Sequence, residues 1–205
     1  MVPRKNLYPY AAFLLLYAAL FAYNLSDGSK GAWDNVASLF IVTAIFLLSG
    51  WADLGPGLFL LANLPLLAHN LGTVGTAVLY GTHLGPLPYD KFIHLFSTIV
   101  FAALLFRTLL RHRMLRSVAA AAFFAFTVVS FFGVMTEIVE YEGYLHLPSS
   151  SGFFNSQQGP APETGTLLYA DTVTDLIANE AGALAGVLLF LPALGRSTRG
   201  RAKPS

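Results

Sequence analysis

Six stretches of the chain are each about twenty residues long and mostly apolar, and this pattern restricts the fold more than any other feature. A helix needs about twenty apolar residues to cross the roughly 30 Å hydrocarbon core of a bilayer. The stretches lack the ten-residue alternation of barrel strands, so they are predicted to be transmembrane helices. The predicted spans are residues 8–25, 33–50, 57–80, 89–110, 117–141 and 171–194.

The composition agrees with a membrane protein. Hydrophobic residues make up 55% of the 205 residues and charged residues 11%, whereas charged residues are about 25% of a typical soluble domain. No long soluble insert separates the spans, so residues 1–205 are predicted to form a single integral membrane domain. The predicted fold class is all-α, a polytopic transmembrane helical bundle of about six spans. The absence of cysteine excludes disulfides, thiolate metal ligands and thiol nucleophiles.

The basic residues indicate the orientation. Of the 12 Lys and Arg residues, all except Lys30 and Lys91 lie before the first span, from the end of the fourth span to the start of the fifth, or after the sixth. Because cytoplasmic loops carry an excess of Lys and Arg, both termini are predicted to be cytoplasmic, in a multi-pass protein of the plasma or inner cell membrane. Anionic lipid headgroups explain the basic side, and no nucleic-acid partner is predicted. Cleavage of the first span as a signal peptide is the alternative, but no A-x-A-like site follows it closely.

The acidic residues have the opposite distribution. Of the 11 Asp and Glu residues, only Asp53 lies on the basic side of the predicted topology. Simple exclusion from the basic side accounts for Asp27, Asp34 and Glu163. It does not account for acids inside predicted helices, because a charged side chain at the bilayer centre costs at least ~2.5 kcal/mol.

Helical periodicity places several of these acids on shared faces. At about 100° per residue, Asp90 and His94 lie one turn apart on the fourth span and can touch. Glu137 and Glu140 lie together at the outer end of the fifth span. Small residues next to a polar stripe allow close helix contact, so the stripe on the sixth span is predicted to face protein. That stripe and its glycines are Asp171, Asp175, Asn179, Gly182 and Gly186. Glu180 points away from it and is left unassigned.

Three helix ends are therefore predicted to bring polar side chains to one level at the outer side of the membrane. Carboxylates and one imidazole suit a divalent cation such as Mg²⁺, Mn²⁺ or Zn²⁺, while crowded carboxylates also suit metal-free acid–base chemistry. The alternative is a collar of solvated acids in which Lys91 or His94 forms an interhelical ion pair. The catalytic candidates are Asp90, His94, Glu137, Glu140, Asp171 and Asp175. The candidate metal ligands are Asp90, His94, Glu137, Asp171 and Asp175, with Lys91, His69 and Asn179 in support.

Two features adjoin this candidate site. His69 and Asn70 interrupt the third span near mid-membrane, and they are predicted to form either an interhelical hydrogen bond or the floor of the same cavity. His83, in the outer loop after that span, is a weaker candidate. Residues 142–170 form a connection far longer than is usual between packed helices, and they are predicted to be either a lid over the cavity or a surface loop.

Three blocks of the sequence, taken together, resemble a known family. They read YDKFIHLFSTIVFA, GVMTEIVEY and YADTVTDLIANEAGALAG, and they look like the D-[KR]-x-x-H, E-x-x-E and D-T-x-x-D blocks of the YjdF-like membrane proteins of unknown function. His69 also falls where that family tends to have a histidine. The chain is more loosely similar to the VanZ-like proteins, which favour an amide where this chain has Glu140. The resemblance implies a polytopic helical membrane protein distantly related to proteins of glycopeptide (teicoplanin) resistance and the cell envelope, and it assigns no catalytic residue.

Three classes of function remain open from the residues. The first is a membrane enzyme, metal-dependent or acid–base, that modifies a lipid or envelope substrate, although no H-E-x-x-H or G-x-S-x-G motif identifies a reaction. The second is a proton- or cation-coupled transporter, against which the inner halves of the fourth and sixth spans are apolar. The third is a non-catalytic envelope scaffold or lipid-headgroup binder. The lipid bilayer is the expected partner in all three, and the sequence indicates no oligomeric state.

Overall fold

The computed structural model describes residues 4–28, 31–74, 79–146 and 165–199, with side chains described up to residue 190. Over these residues the chain forms six α-helices, which confirms the all-α class. They are α1 (Leu7–Ser26), α2 (Ala32–Ser49), α3 (Pro56–Gly72), α4 (Tyr89–Arg111), α5 (Val118–His146) and α6 (Thr166–Arg199). The remaining elements are 3-10 turns at Arg4–Asn6 and Leu79–Gly81, and an antiparallel hairpin of β1 (His83–Leu84) and β2 (Leu87–Pro88).

Five of these helices, all except α3, are long and apolar enough to cross a membrane. The predicted third span, residues 57–80, is wrong at its outer end because α3 stops at Gly72. The chain turns back there, and the ring of Tyr80 packs so closely on Gly72 that a Cβ at residue 72 would lie 2.5 Å from it. Hydropathy alone gave no sign of this turn, because most residues that follow Gly72 are apolar.

Polar contacts at the basic side bring three chain segments together. Asp53, in the turn between α2 and α3, lies 2.6 Å from Arg111 at the end of α4 and 3.7 Å from Lys5 before α1. The Asn6 amide donates to Ser49 Oγ at 3.1 Å and to the Leu54 carbonyl at 2.8 Å. The start of α1, the α2–α3 turn and the end of α4 therefore lie at one level, and neighbouring helices run antiparallel.

At the opposite level, the start of α2 meets the end of α3. His69 Nε2 lies 3.8 Å from Asp34 Oδ2, and the Tyr89 hydroxyl at the start of α4 donates to the Ala68 carbonyl at 2.6 Å. The 17 residues of α3 extend roughly 25 Å at 1.5 Å per residue. Short as it is, α3 connects the same two levels as its longer neighbours.

The bundle has two apolar cores. In the first, Tyr17 of α1 and Phe59 of α3 are fully buried with Val42 of α2. The second core joins α4, α5 and α6 around Phe106 and Ala125. The helices of each half pack mainly on one another, and contacts between α3 and α4 connect the halves.

A chain of buried amides holds the first three helices together. Asn24 of α1 donates to Asn35 of α2 at 2.9 Å, Asn35 donates to Asn70 of α3 at 2.5 Å, and Asn70 donates to Ser38 at 2.6 Å. Asn70 thus forms the interhelical hydrogen bond that was one of its two predicted roles. The predicted mid-membrane position is wrong, because Asn70 and its neighbour lie in the last turn of α3.

The long connection is shorter than predicted at both ends. α5 continues through His146 and α6 begins at Thr166, so residues 142–146 and 166–170 are helical and do not belong to a loop. The Glu142–His146 pair, 3.1 Å apart and one turn apart in sequence, lies on the extra turn of α5. The predicted lid falls largely on residues 147–164, which lie outside the described residues.

The orientation of the bundle stays a prediction, and single cysteines test it. Because the chain has no native cysteine, Thr82→Cys in the outer turn and Ser117→Cys between α4 and α5 can be labelled without background. Both residues are exposed. In intact cells we expect an impermeant maleimide to label Thr82→Cys and to label Ser117→Cys only after the membrane is opened. The reverse pattern would show that the termini lie outside, and labelling of both would contradict the helix arrangement.

Candidate functional site

Lys91, in the first turn of α4, lies among three carboxylates. Its Nζ is 3.0 Å from Asp90 Oδ2 and 2.6 Å from Asp175 Oδ2, and it also contacts Asp171 Oδ1. The Lys91 side chain is 14% exposed and that of Asp175 is 2% exposed. A charged hydrogen bond between such shielded groups is stronger than one in water. Lys91 therefore connects the N-terminal part of α4 to that of α6.

His94 lies one turn further along α4, between two pairs of polar groups. Its Nε2 is 3.4 Å from Asp90 Oδ1 and 3.7 Å from Asp175 Oδ1. On the other side of the ring, Nδ1 is 3.2 Å from Glu137 Oε1 and 3.3 Å from Asn179 Oδ1. Each ring nitrogen thus faces at least one carboxylate, so the imidazole can accept a proton or offer a lone pair on either side.

Glu137 enters the site from α5 and is almost fully buried. The Asn179 amide of α6 donates to Glu137 Oε1 at 3.1 Å. Gly133, one turn earlier on α5, leaves room for Asn179, because a Cβ on residue 133 would lie 3.0 Å from Asn179 Cβ. The glycine, the amide and the acid together position the Glu137 carboxylate beside His94.

Two overlapping groups of side chains have the geometry of a cation site. In each group, one ligand atom per residue lies within 4.8 Å of the others. The first group is Asp90, His94 and Asp175, and the second is His94, Glu137 and Glu140. Ligand atoms about 2.1 Å from one ion are separated by roughly 3–3.5 Å in tetrahedral or octahedral arrangements. The His94 Nε2 distances in the first group, 3.4 and 3.7 Å, are close to this value.

The structure brings most of the predicted site residues together. Asp90, His94, Glu137, Glu140 and Asp175 all belong to the two groups above. Asp171 contacts Lys91 and, although predicted as a metal ligand, lies outside both groups. Asn179 and Lys91 hold carboxylates, as supporting residues would.

His69 lies on a second wall of the same cavity. The cavity has a volume of about 720 Å³, and His94, Glu140, His69, Asp34 and Tyr80 all line it. The Tyr80 hydroxyl contacts His69 Nδ1, and Asp34 lies near the other ring nitrogen at 3.8 Å. Burial, together with nearby negative charges, raises the pKa of Tyr80 well above its ordinary value. Tyr80 therefore keeps its proton and donates it in a hydrogen bond to His69. His69 thus forms a hydrogen bond and also lines the cavity, so its two predicted roles are compatible.

Sequence reasoning missed Asp34 and Tyr80. Asp34 was attributed to exclusion from the basic side, but the residue is 2% exposed and lies beside the imidazole of His69. A signal was present, because Asn35 and Ser38 follow it on α2 and a cluster of polar residues on a transmembrane helix faces protein. Tyr80 was assigned to the third span and lacked any such signal.

Glu180, His83 and His112 do not line the cavity. Glu180, left unassigned above, accepts a hydrogen bond from Ser130 of α5 at 2.7 Å. His83 is exposed in β1. His112 lies at the basic end of the bundle, where its ring stacks on Trp51.

Comparison with known proteins identifies a family and no activity. A family model described as "Predicted membrane protein (DUF2238)" matches residues 8–196. The YjdF-like resemblance corresponds to this family and is confirmed, whereas the VanZ-like relation is not shown and stays a prediction. Searches among curated proteins and among solved structures gave no match.

Proposed function

Since the chain belongs to this family of predicted membrane proteins (DUF2238), we propose that it binds one divalent cation between Asp90, His94 and Asp175. The ion would lie at the outer side of the plasma or inner membrane. There it would act on the headgroup of a lipid or envelope substrate, as a metal-dependent enzyme does.

One observation supports this proposal above the others. Asp175 Oδ1 is buried and lacks a hydrogen-bond donor among the described residues, while Oδ2 of the same carboxylate contacts Lys91. An unsatisfied buried carboxylate oxygen costs free energy that a bound cation removes. Asp175 belongs to the Asp90–His94–Asp175 group, and its Oδ1 lies 3.7 Å from His94 Nε2. An ion there would meet an imidazole nitrogen and two carboxylate oxygens.

The charge balance supports the same conclusion. Five carboxylates lie around Lys91 and His94, namely Asp90, Glu137, Glu140, Asp171 and Asp175. Acids that crowd a partly dry site repel unless a proton or a cation separates them. A divalent ion offsets two of the excess charges, and it polarises a phosphoryl or carbonyl oxygen of a substrate.

The alternatives have less support. A proton- or cation-coupled transporter needs polar groups across the membrane, whereas the cavity is lined toward its basic end by Leu48, Leu54, Leu104 and Leu105. A scaffold or headgroup binder without metal needs only a stable pocket. It gives no reason for the buried Asp175 Oδ1 that lacks a hydrogen-bond donor among the described residues. One experiment separates the three classes.

The test is a stability titration of the purified, chelator-treated protein with Mg²⁺, Mn²⁺ and Zn²⁺. An ion that binds only the folded chain raises the free energy of unfolding by about 2.7 kcal/mol at 100 times its Kd. We expect this response from one or more of the ions in the wild type. It should be lost in His94→Ala, which removes one ligand atom, and weakened or lost in Asp175→Asn, which removes the negative charge of another ligand.

Glu142→Gln and His146→Ala are the matched controls, because both residues lie on α5 near the outer side, pair with each other and are exposed. These variants should respond to metal as the wild type does. Equal metal responses in the site variants would overturn the proposal, and so would no response to any of the three ions. A response to pH alone would favour proton coupling.

A further inference from the structure

The cavity that ends at His94 is a groove along the membrane normal. On α2 its lining residues Asp34, Ser38, Ile41, Ile45 and Leu48 recur at helical spacing on one face. On α4 the lining extends from Ile93 to Thr108, roughly 22 Å at 1.5 Å per residue. This exceeds one leaflet, which is about half of the ~30 Å hydrocarbon core.

The polarity of the groove changes along its length. His94, Glu140, His69 and Tyr80 line its outer end, whereas Ile41, Ile45, Phe101 and Leu105 line the part below. Its volume of about 720 Å³ lies within the ~300–1,000 Å³ of ordinary ligand pockets. Hydroxyl side chains such as Ser97 and Thr108 also line the groove, but its ionisable groups lie at one end. A mainly apolar channel of this kind matches a molecule with one polar end and a long hydrocarbon chain.

The groove lies between the two halves of the bundle. α2 packs on α1 and α3, while α5 packs on α4 and α6, and both α2 and α5 contribute lining residues. Ile41 on α2 is 40% exposed and Phe132 on α5 is 64% exposed, although both line the groove. These walls are thus accessible from the bilayer, and a chain can enter sideways without crossing the polar end.

From these features we infer that the groove binds one hydrocarbon chain of a lipid whose phosphate group reaches the cation site. The inference rests on the proposed function for the choice of headgroup. An anionic phosphate complements a divalent ion held by Asp90, His94 and Asp175, and of these three residues His94 lines the groove. The chain itself is recognised by the apolar walls. The substrate class is therefore a phosphate-headed membrane lipid.

The experiment uses phosphatidic acid with a photoreactive diazirine in its acyl chain, added to the full-length protein in detergent with the stabilising metal. Labelling should concentrate on groove residues such as Ile41 and Phe101. In Ile41→Trp the new ring fills the groove, so labelling of Phe101 should fall about tenfold, which corresponds to ~1.4 kcal/mol of binding. Phe40→Trp is the matched control, because Phe40 is adjacent on α2, 73% exposed and does not line the cavity.

The metal-dependent stabilisation of Ile41→Trp shows whether this variant is folded, and it should equal that of the wild type. Labelling spread evenly over outward-facing residues such as Phe40 would overturn the inference, and so would labelling of Phe101 that Ile41→Trp leaves unchanged. Groove labelling that chelator leaves intact but Ile41→Trp abolishes would support the hydrocarbon-chain site and contradict metal-dependent binding of the phosphate headgroup. If the Ile41→Trp protein loses its metal response, Ile45→Phe repeats the test with a smaller change.

Discussion

Replacement of Lys91 by methionine is expected to lower the free energy of unfolding by about 3–5 kcal/mol in chelator-treated protein, the usual cost of removing one partner from a buried ion pair. Methionine keeps most of the length of the side chain but removes the charge that Asp90, Asp171 and Asp175 share. Three carboxylates would then face one another without a cation. Thermal or denaturant unfolding in detergent measures the change.

Lys5→Met is the matched control for this prediction. Lys5 also pairs with an aspartate, at 3.7 Å from Asp53, but its side chain is 51% exposed, and exposed pairs contribute only about 0–1 kcal/mol. Saturating divalent metal should restore part of the stability lost in Lys91→Met. Similar losses in the two variants would mean that the acids around Lys91 are solvated or protonated and do not form a charged cluster.

Replacement of Gly182 by valine should be nearly as harmful, because α4 and α6 touch through their backbones at this residue. A Cβ there would lie 2.5 Å from the Leu95 carbonyl oxygen and closer still to Thr98 Oγ1. Neither helix can yield locally, so the variant should lose about 3 kcal/mol, near the upper end of typical overpacking costs. The separation of α4 from α6 should also abolish the metal response, since the ligands come from both helices.

The control for Gly182 is Gly57→Val in the first turn of α3. Among the described residues, and apart from its chain neighbours and the backbone of its own helix, no atom lies within 4 Å of the position that a Cβ on Gly57 would occupy. Valine also has a somewhat higher helix propensity than glycine, by a few tenths of a kcal/mol. This variant should therefore unfold like the wild type. A Gly182→Val protein of unchanged stability would contradict the close approach of α4 and α6.

Much of this architecture could be predicted because apolar length and helical phase are properties of the local sequence. The one-turn spacing of Asp90 and His94 and the stripe of Asp171, Asp175 and Asn179 follow from about 100° per residue, and these residues do come together. The glycines beside the stripe identified the face of α6 that packs on α4. The assignment of a chemical role to these residues stays a prediction.

The structure differs from the sequence-based predictions where contacts join residues that do not share a helix. α3 ends at Gly72 because Tyr80 packs there, a contact between residues joined by an apolar segment with no break in hydropathy. The polar residues near Asp34 on α2 indicate a face toward protein, but its partner, His69, lies on another helix, and periodicity within α2 cannot identify that partner. The role of Asp171 as a metal ligand stays a prediction; in the structure its carboxylate contacts Lys91.

Lys91 and its carboxylate partners on α6, Asp171 and Asp175, are far apart in sequence. This separation affects the order in which they become available during synthesis. Lys91 and Asp171 are 80 residues apart, and at about 5–20 residues per second a ribosome takes roughly 4–16 s to cover that interval. During this time α4 is complete while α6 has not yet been synthesised. Until then Lys91 lacks its α6 carboxylates, and exposure of its charge to hydrated headgroups costs less free energy than burial in hydrocarbon. Because Asp90, Lys91 and His94 lie in the first two turns of α4, headgroups and water can solvate them until α6 is made.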